Sequence, residues 1–129
     1  MKRIPHSVAI LVILVGVFLA GVAVGQNQYG TPKTVLHVVS LQWKEDSTEA
    51  QQQRALDGIK EMAATIPGIK NVWLSPDRVQ PRAFHTAFAL EFESREAADT
   101  YGEHPAHEAW YEIYMPIRQQ SRSLQITNR

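Results

Sequence analysis

The chain contains no cysteine. That excludes a disulfide framework and a lipid-modified cysteine anchor, so stability has to come from a buried core and a partner chain. It also lacks a charge surplus, since 13 basic side chains stand against 13 acidic ones. No basic block or stripe breaks that balance, which removes the electrostatic footprint nucleic-acid binding needs. Metal chemistry is short of ligands as well. His104, His107 and Glu108 lie close in sequence, but no cysteine or third spaced carboxylate completes a familiar set, and neither metal nor cofactor is expected.

What the chain does have begins with Lys2 and Arg3 ahead of a nearly unbroken apolar run from Val8 to Val24. Ala23-Val24-Gly25 then offers small residues where a signal peptidase reads. Residues 1–25 are read as an export signal. The alternative is an uncleaved membrane anchor through residues 8–24, because the run falls between a signal core and the roughly 20 residues of a full span. Either reading puts the remainder outside the cytoplasm: periplasmic, secreted, or membrane-anchored and facing out. Without Lys2 and Arg3 the 13 basic residues fall to 11 against 13 acidic, a net charge of −2. Residues 26–34 read as a polar tether with a turn at Tyr29-Gly30-Thr31-Pro32, and residues 35–129 as one small domain that gains from oligomerisation.

Periodicity predicts the elements. Val35 to Trp43 alternates as a strand, with Val35, His37, Val39, Leu41 and Trp43 on one face. Thr48 and Gln51 have capping-box spacing for a helix to Ile66, whose apolar stripe is Ala55, Ile59, Met62, Ala63 and Ile66, ended by Pro67-Gly68. A weak strand over 69–74 and a loop over 75–82 follow. A strand over 83–92 sets Phe84, Thr86, Phe88, Leu90 and Phe92 against a face of small residues. Ser94 caps a short helix to Gly102, and Pro105 starts another that runs to about Arg118, bent near Pro116. A polar strand over 121–127 closes the chain. The order βαββαβ is the α+β, ferredoxin-like arrangement with a four-stranded antiparallel sheet. Strands apolar on both faces predict that a second copy covers the open one, giving a homodimer closed into an α/β barrel.

Several motifs of this sequence resemble the stress-responsive α/β barrel, or Dabb, family. They are Leu36-His37-Val38-Val39, Ile66-Pro67-Gly68, Leu90-Glu91-Phe92-Glu93-Ser94, and above all Tyr101-x-x-His104-Pro105-Ala106-His107. The resemblance spans nearly all of 36–127 and implies a dimeric α+β barrel. It implies no single activity, since the family holds stress-associated proteins without an agreed reaction as well as a polyketide cyclase. By resemblance to that cyclase, Tyr101 and His107 work together and His37 lines the pocket.

Each of these residues also has a structural reading. His107 can anchor the broken helix to the sheet, Tyr101 can be a core aromatic with a bonded hydroxyl, and His37 can be a satisfied core imidazole. His104 reads as a corner residue. His85 can face a dimer core or solvent. The aromatics Trp73, Phe84, Phe88, Trp110, Tyr111 and Tyr114 can form the core or line a pocket for a small apolar or aromatic ligand. The sequence is therefore read as an exported, dimeric, stress-associated module that binds a small ligand. The alternative is a cofactor-independent lyase or cyclase on a polyketide-like or β-dicarbonyl substrate, with His107 as base and Tyr101 as donor.

Overall fold

The computed structural model describes residues 10–15 and 30–128. Contacts divide the chain into Met1–Thr31 and Pro32–Arg129. In the first unit, residues 10–15 are helical. The rest of the signal or anchor assigned to 1–25 lies outside the described residues. Among those described, no helix is long and apolar enough to cross a membrane.

The second unit starts with β1, Val35–Trp43, followed by helix α1, Glu49–Thr65. Thr48 Oγ1 accepts the Gln51 N–H at 3.2 Å, and Gln51 Oε1 accepts the Thr48 N–H at 2.9 Å, closing the expected capping box. Gly68 ends the turn after α1 with φ +85°, and a Cβ there would stand 2.6 Å from that of Ala97, so both backbone and space demand glycine. Strand β2 is Ile69–Trp73 and β3 is Thr86–Phe92. Helix α2, Arg95–Thr100, is capped by Ser94 and runs into a 3-10 turn at Tyr101–Glu103. Helix α3 is Pro105–Tyr114, a second 3-10 turn covers Met115–Ile117, and β4 is Arg118–Ile126.

The strands form one antiparallel sheet in the order β2-β3-β1-β4, the ferredoxin-like topology. Its covered face carries Val39, Leu41 and Trp43 from β1 and Phe88, Leu90 and Phe92 from β3. These pack on Ala55, Ile59 and Met62 of α1 and on Trp110 and Tyr114 of α3. Leu41, Leu90 and Phe92 are fully enclosed, each contributing roughly 1.5–3 kcal/mol by burial.

Beyond shifts of one or two residues at element ends, three boundaries differ from the sequence reading. Strand β3 starts at Thr86 rather than 83, because the Phe84 N–H turns back to the Pro81 carbonyl at 3.0 Å. His85 bridges the gap: its N–H donates to the Leu41 carbonyl at 2.8 Å, and its imidazole Nδ1 accepts the Trp43 N–H at 3.1 Å in place of a backbone carbonyl. Regular helix α3 stops at Tyr114, since Pro116 supplies no donor for another turn. Strand β4 then begins at Arg118, three residues early, because Arg118 pairs with Trp43 across a register shift. Gly58, left out of the predicted stripe, is buried on α1.

The other sheet face is open. Leu36 and Val38 are half-buried there beside Ala87 and Ala89, and Trp73, Leu124 and Ile126 are exposed on it.

Candidate functional site

Two elements and a proline corner assemble the site. His37 sits on the covered face of β1, between Val35 and Val39. Tyr101 opens the 3-10 turn after α2, and His107 lies in the first turn of α3. His104 fixes the angle between them. It is extended, as a residue before proline should be, and its Nδ1 accepts the Ala106 N–H at 3.1 Å as the N-cap of α3. That nitrogen is thereby used up in capping. Among the described residues no group of three or more His, Cys, Asp or Glu is placed to hold a metal ion.

The three sequence-selected residues come together. Tyr101 Oη lies 3.2 Å from His37 Nε2. The Tyr101 and His107 rings meet edge to face, with centroids 5.0 Å apart at 85°, and Phe92 backs the Tyr101 ring at 4.8 Å. All three border a cleft of about 140 Å³ between the sheet and α3, walled by Phe88, Trp110, Tyr111 and Tyr114 and floored by Ser121 and Ser123. Of the aromatics proposed for a pocket, those four line it. Trp73 stands on the open face instead, and Phe84 is buried beneath the Arg122 guanidinium. Ser121 and Ser123 were not foreseen as site residues. Their signal is the alternation of β4, which pairs them opposite Leu41 and Val39 of the covered face.

A wider hollow of about 570 Å³ lies at the other end of β1, around Trp43, Lys44, Glu45 and His85. Its best groups are already engaged: His85 Nδ1 holds the Trp43 N–H, and Lys44 Nζ donates to the Pro116 carbonyl at 2.6 Å. Convergent unspent chemistry is found in the smaller cleft.

Burial sets the protonation states there. It lowers the pKa of His107 below the ordinary 6.5, against weaker opposition from the Gly102 backbone and the Glu108 carboxylate. His37 is lowered by burial first and by the charge on His107 second. Both imidazoles are therefore neutral at pH 7. Tyr101 is pushed up to about 12 by burial, with Tyr111 adding to it, so it is a phenol and a donor across the neutral range. His37 Nδ1 is buried without a partner. The direction of the Tyr101 contact is set by the His37 tautomer; the one with its proton on Nε2 leaves Nδ1 as an unpaired acceptor rather than an unpaired donor. Nε2–H then donates to the Tyr101 oxygen and leaves the Tyr101 O–H free to point into the cleft.

Fold and cleft together define a ferredoxin-like α+β protein with a neutral imidazole and phenol pair beneath its helices. The family model described as Stress responsive A/B Barrel Domain, Dabb, matches residues 35–127. The chain belongs to that family. It is 29% identical over 83 residues to olivetolic acid cyclase of Cannabis sativa, an alignment covering 62% of this chain and 82% of the cyclase. Among solved structures, a dimeric ferredoxin-like protein of unknown function from Thermobifida fusca superposes with a TM-score of 0.65 at 19% identity, covering 80% of this chain and 98% of its own. Hydroxynitrile lyase from Passiflora edulis gives a TM-score of 0.68 at 16% identity, covering 76% and 95% respectively.

Proposed function

We propose that this protein is a cofactor-independent acid–base catalyst of carbon–carbon bond formation or cleavage, a lyase or cyclase for a polyketide-like or β-dicarbonyl substrate. The observation that carries this reading is the convergence of His37, Tyr101 and His107 on one cleft with their protonation states already separated. His107 removes the acidic proton between two carbonyls and becomes an imidazolium. The electron pair moves to an enolate oxygen, which the Tyr101 O–H stabilises while His37 holds the phenol in orientation. The enolate carbon attacks a second carbonyl, a carbon–carbon bond forms, and the resulting alkoxide takes the proton back from His107. Read in reverse, the same steps are a lyase. That one relative is a cyclase and one structural neighbour a lyase supports this direction.

A second reading keeps the site as a binding module. About 140 Å³ is below the roughly 300–1,000 Å³ of ordinary ligand pockets. The apolar open face, with Trp73, Leu124 and Ile126 exposed, fits a homodimer in either case, as in the dimeric neighbour from Thermobifida fusca. The apolar run at 8–24 favours a location outside the cytoplasm, which the intact mass of the membrane and soluble fractions of the source cell would check.

The deciding test is deuterium uptake at the central carbon of benzoylacetone, followed by proton NMR. The wild-type protein is expected to accelerate exchange over buffer, and His107→Ala to lose about 10²-fold or more of that acceleration. Exchange at the buffer rate, with benzoylacetone still shifting the His37 and Tyr101 resonances, would reject catalysis and leave the binding module.

A further inference from the structure

At the end of the cleft away from His107, Tyr114, Ser121 and Arg118 lie together with no carboxylate beside them among the described residues. Tyr114 is only 3% exposed, and its hydroxyl, buried beside the cleft wall, has no hydrogen-bond partner. Ser121 and Arg118 come near enough to oppose the rise that burial imposes on its pKa, yet neither completes a bond of ordinary geometry. Arg118 lies with its guanidinium carbon 5.8 Å from the centre of the Tyr114 ring, and its Nη1 donates to Ser121 Oγ at 3.2 Å. The Arg118 Nε is buried and unpartnered as well. Among the described residues the salt bridges are Arg54 with Glu61 and Lys60 with Asp57, both on α1, so Arg118 has no carboxylate of its own.

Two buried donors of this group, the Tyr114 hydroxyl and Arg118 Nε, lack partners, and each such donor keeps its desolvation penalty. The ligand chemistry that suits this end of the cleft is a carboxylate. It has two oxygens and spare lone pairs for the Tyr114 and Ser121 hydroxyls, and it neutralises the guanidinium behind them. Tyr114 and Ser121 border the same cleft as His37, Tyr101 and His107. We infer that the ligand of this site carries a carboxylate, seated against Tyr114 and Ser121 with Arg118 as its counter-charge, while its carbonyl end lies against Tyr101 and His107. This rests on the cleft being a ligand site, as proposed above, and narrows the ligand to an acid with a carbonyl group. Arg118 is then a specificity residue, acting on which compound binds rather than on the proton transfer.

Benzoylacetate and its methyl ester separate the charge from the rest of the molecule. Binding of each to the full chain is measured by calorimetry and by NMR shifts. The acid is expected to bind about tenfold or more tightly than the ester, the scale of a charge-assisted hydrogen-bonded contact. Arg118→Gln should bring the two within about twofold by weakening the acid alone, and Arg118→Lys should restore part of the preference. Equal affinities in the wild-type protein overturn this inference and leave the site reading intact. Absence of binding by either compound overturns both. The acid-to-ester ratio is measured on the unaltered protein, so a variant that fails to fold does not remove the test.

Discussion

The hydroxyl of Tyr101 and Nε2 of His37 meet at 3.2 Å although 64 positions of chain separate them. A strand and a 3-10 turn, placed by quite different sequence signals, thus converge on one hydrogen bond. In the His37 tautomer protonated on Nε2, the bond holds the phenol oxygen from behind and leaves its proton for a ligand.

Tyr101→Phe removes that proton. Turnover is expected to drop by about 10²–10³, the usual cost of one donor at a developing oxyanion. Stability should fall by about 1–3 kcal/mol, because a His37 nitrogen is left without its partner. Steady-state kinetics alongside thermal unfolding separates the two effects, and lost stability with unchanged turnover would give Tyr101 a structural role alone.

Acid should destabilise the fold through the two imidazoles. Both have folded pKa values below the ordinary 6.5, so the unfolded chain binds protons more readily. Their contribution is complete above about pH 6.5 and is lost as pH falls from there toward the folded values. Asp57, held low by Lys60, and Glu91, held low by Asn71, titrate in a more acidic window. Unfolding midpoints between pH 7.5 and about 5 should decline, with a shallower slope in His37→Gln. A flat profile in the wild-type protein would show the imidazoles to be solvated.

Catalysis should share the acid limb. The proposed reaction needs neutral His107, so kcat/KM is expected to fall below an apparent pKa lower than 6.5. Tyr101, pushed up to about 12, brings no loss through pH 9. A basic limb near neutrality would mean that a different acid supplies the proton.

Trp110 and Gly58 are packed to the limit. A Cβ on Gly58 would stand 2.9 Å from Trp110 Cδ1, so Gly58→Ala must push the indole aside. The cost is about 1–3 kcal/mol, larger than the roughly 1 kcal/mol that alanine gains in a helix. Trp110 is 5% exposed and its Nε1–H donates to the Ala55 carbonyl at 2.9 Å. Trp110→Ala should therefore cost about 3–5 kcal/mol. Denaturant midpoints check both, and a Gly58→Ala protein more stable than wild type would contradict the packing.

Leu124→Glu puts a charge on the exposed apolar strip of the sheet. If a second copy covers that strip, the variant should sediment as a monomer at concentrations where the wild-type protein is a dimer. Identical sedimentation would move the dimer contact elsewhere.

Much of the architecture was legible because period-two and helical spacing are local. Val35–Trp43 and the Thr48 cap could be read within a few residues. Strand β4 was read late because Arg118-Gln119-Gln120 is too polar to look like a strand, and its pairing with Trp43 is a tertiary fact. The meeting of His37, Tyr101 and His107 came from motif resemblance, since no spacing in the chain forces β1 beneath the proline corner. Tyr114 is legible as a pocket aromatic, but its grouping with Ser121 and Arg118 is not. What singles that grouping out is a Tyr114 hydroxyl and an Arg118 Nε without partners, and an unmade bond leaves no pattern in sequence.

The indole of Trp110 is held by α1 on one side and stacked on Tyr114 at 4.5 Å on the other, while its remaining edge walls the cleft. One side chain thus serves as both keystone and chamber wall. Trimming it to admit a bulkier guest would loosen the helix pair that keeps the chamber standing. Room for larger molecules is more safely gained at Tyr111, which is exposed on the far rim, and remodelling the cleft for new guests should begin there.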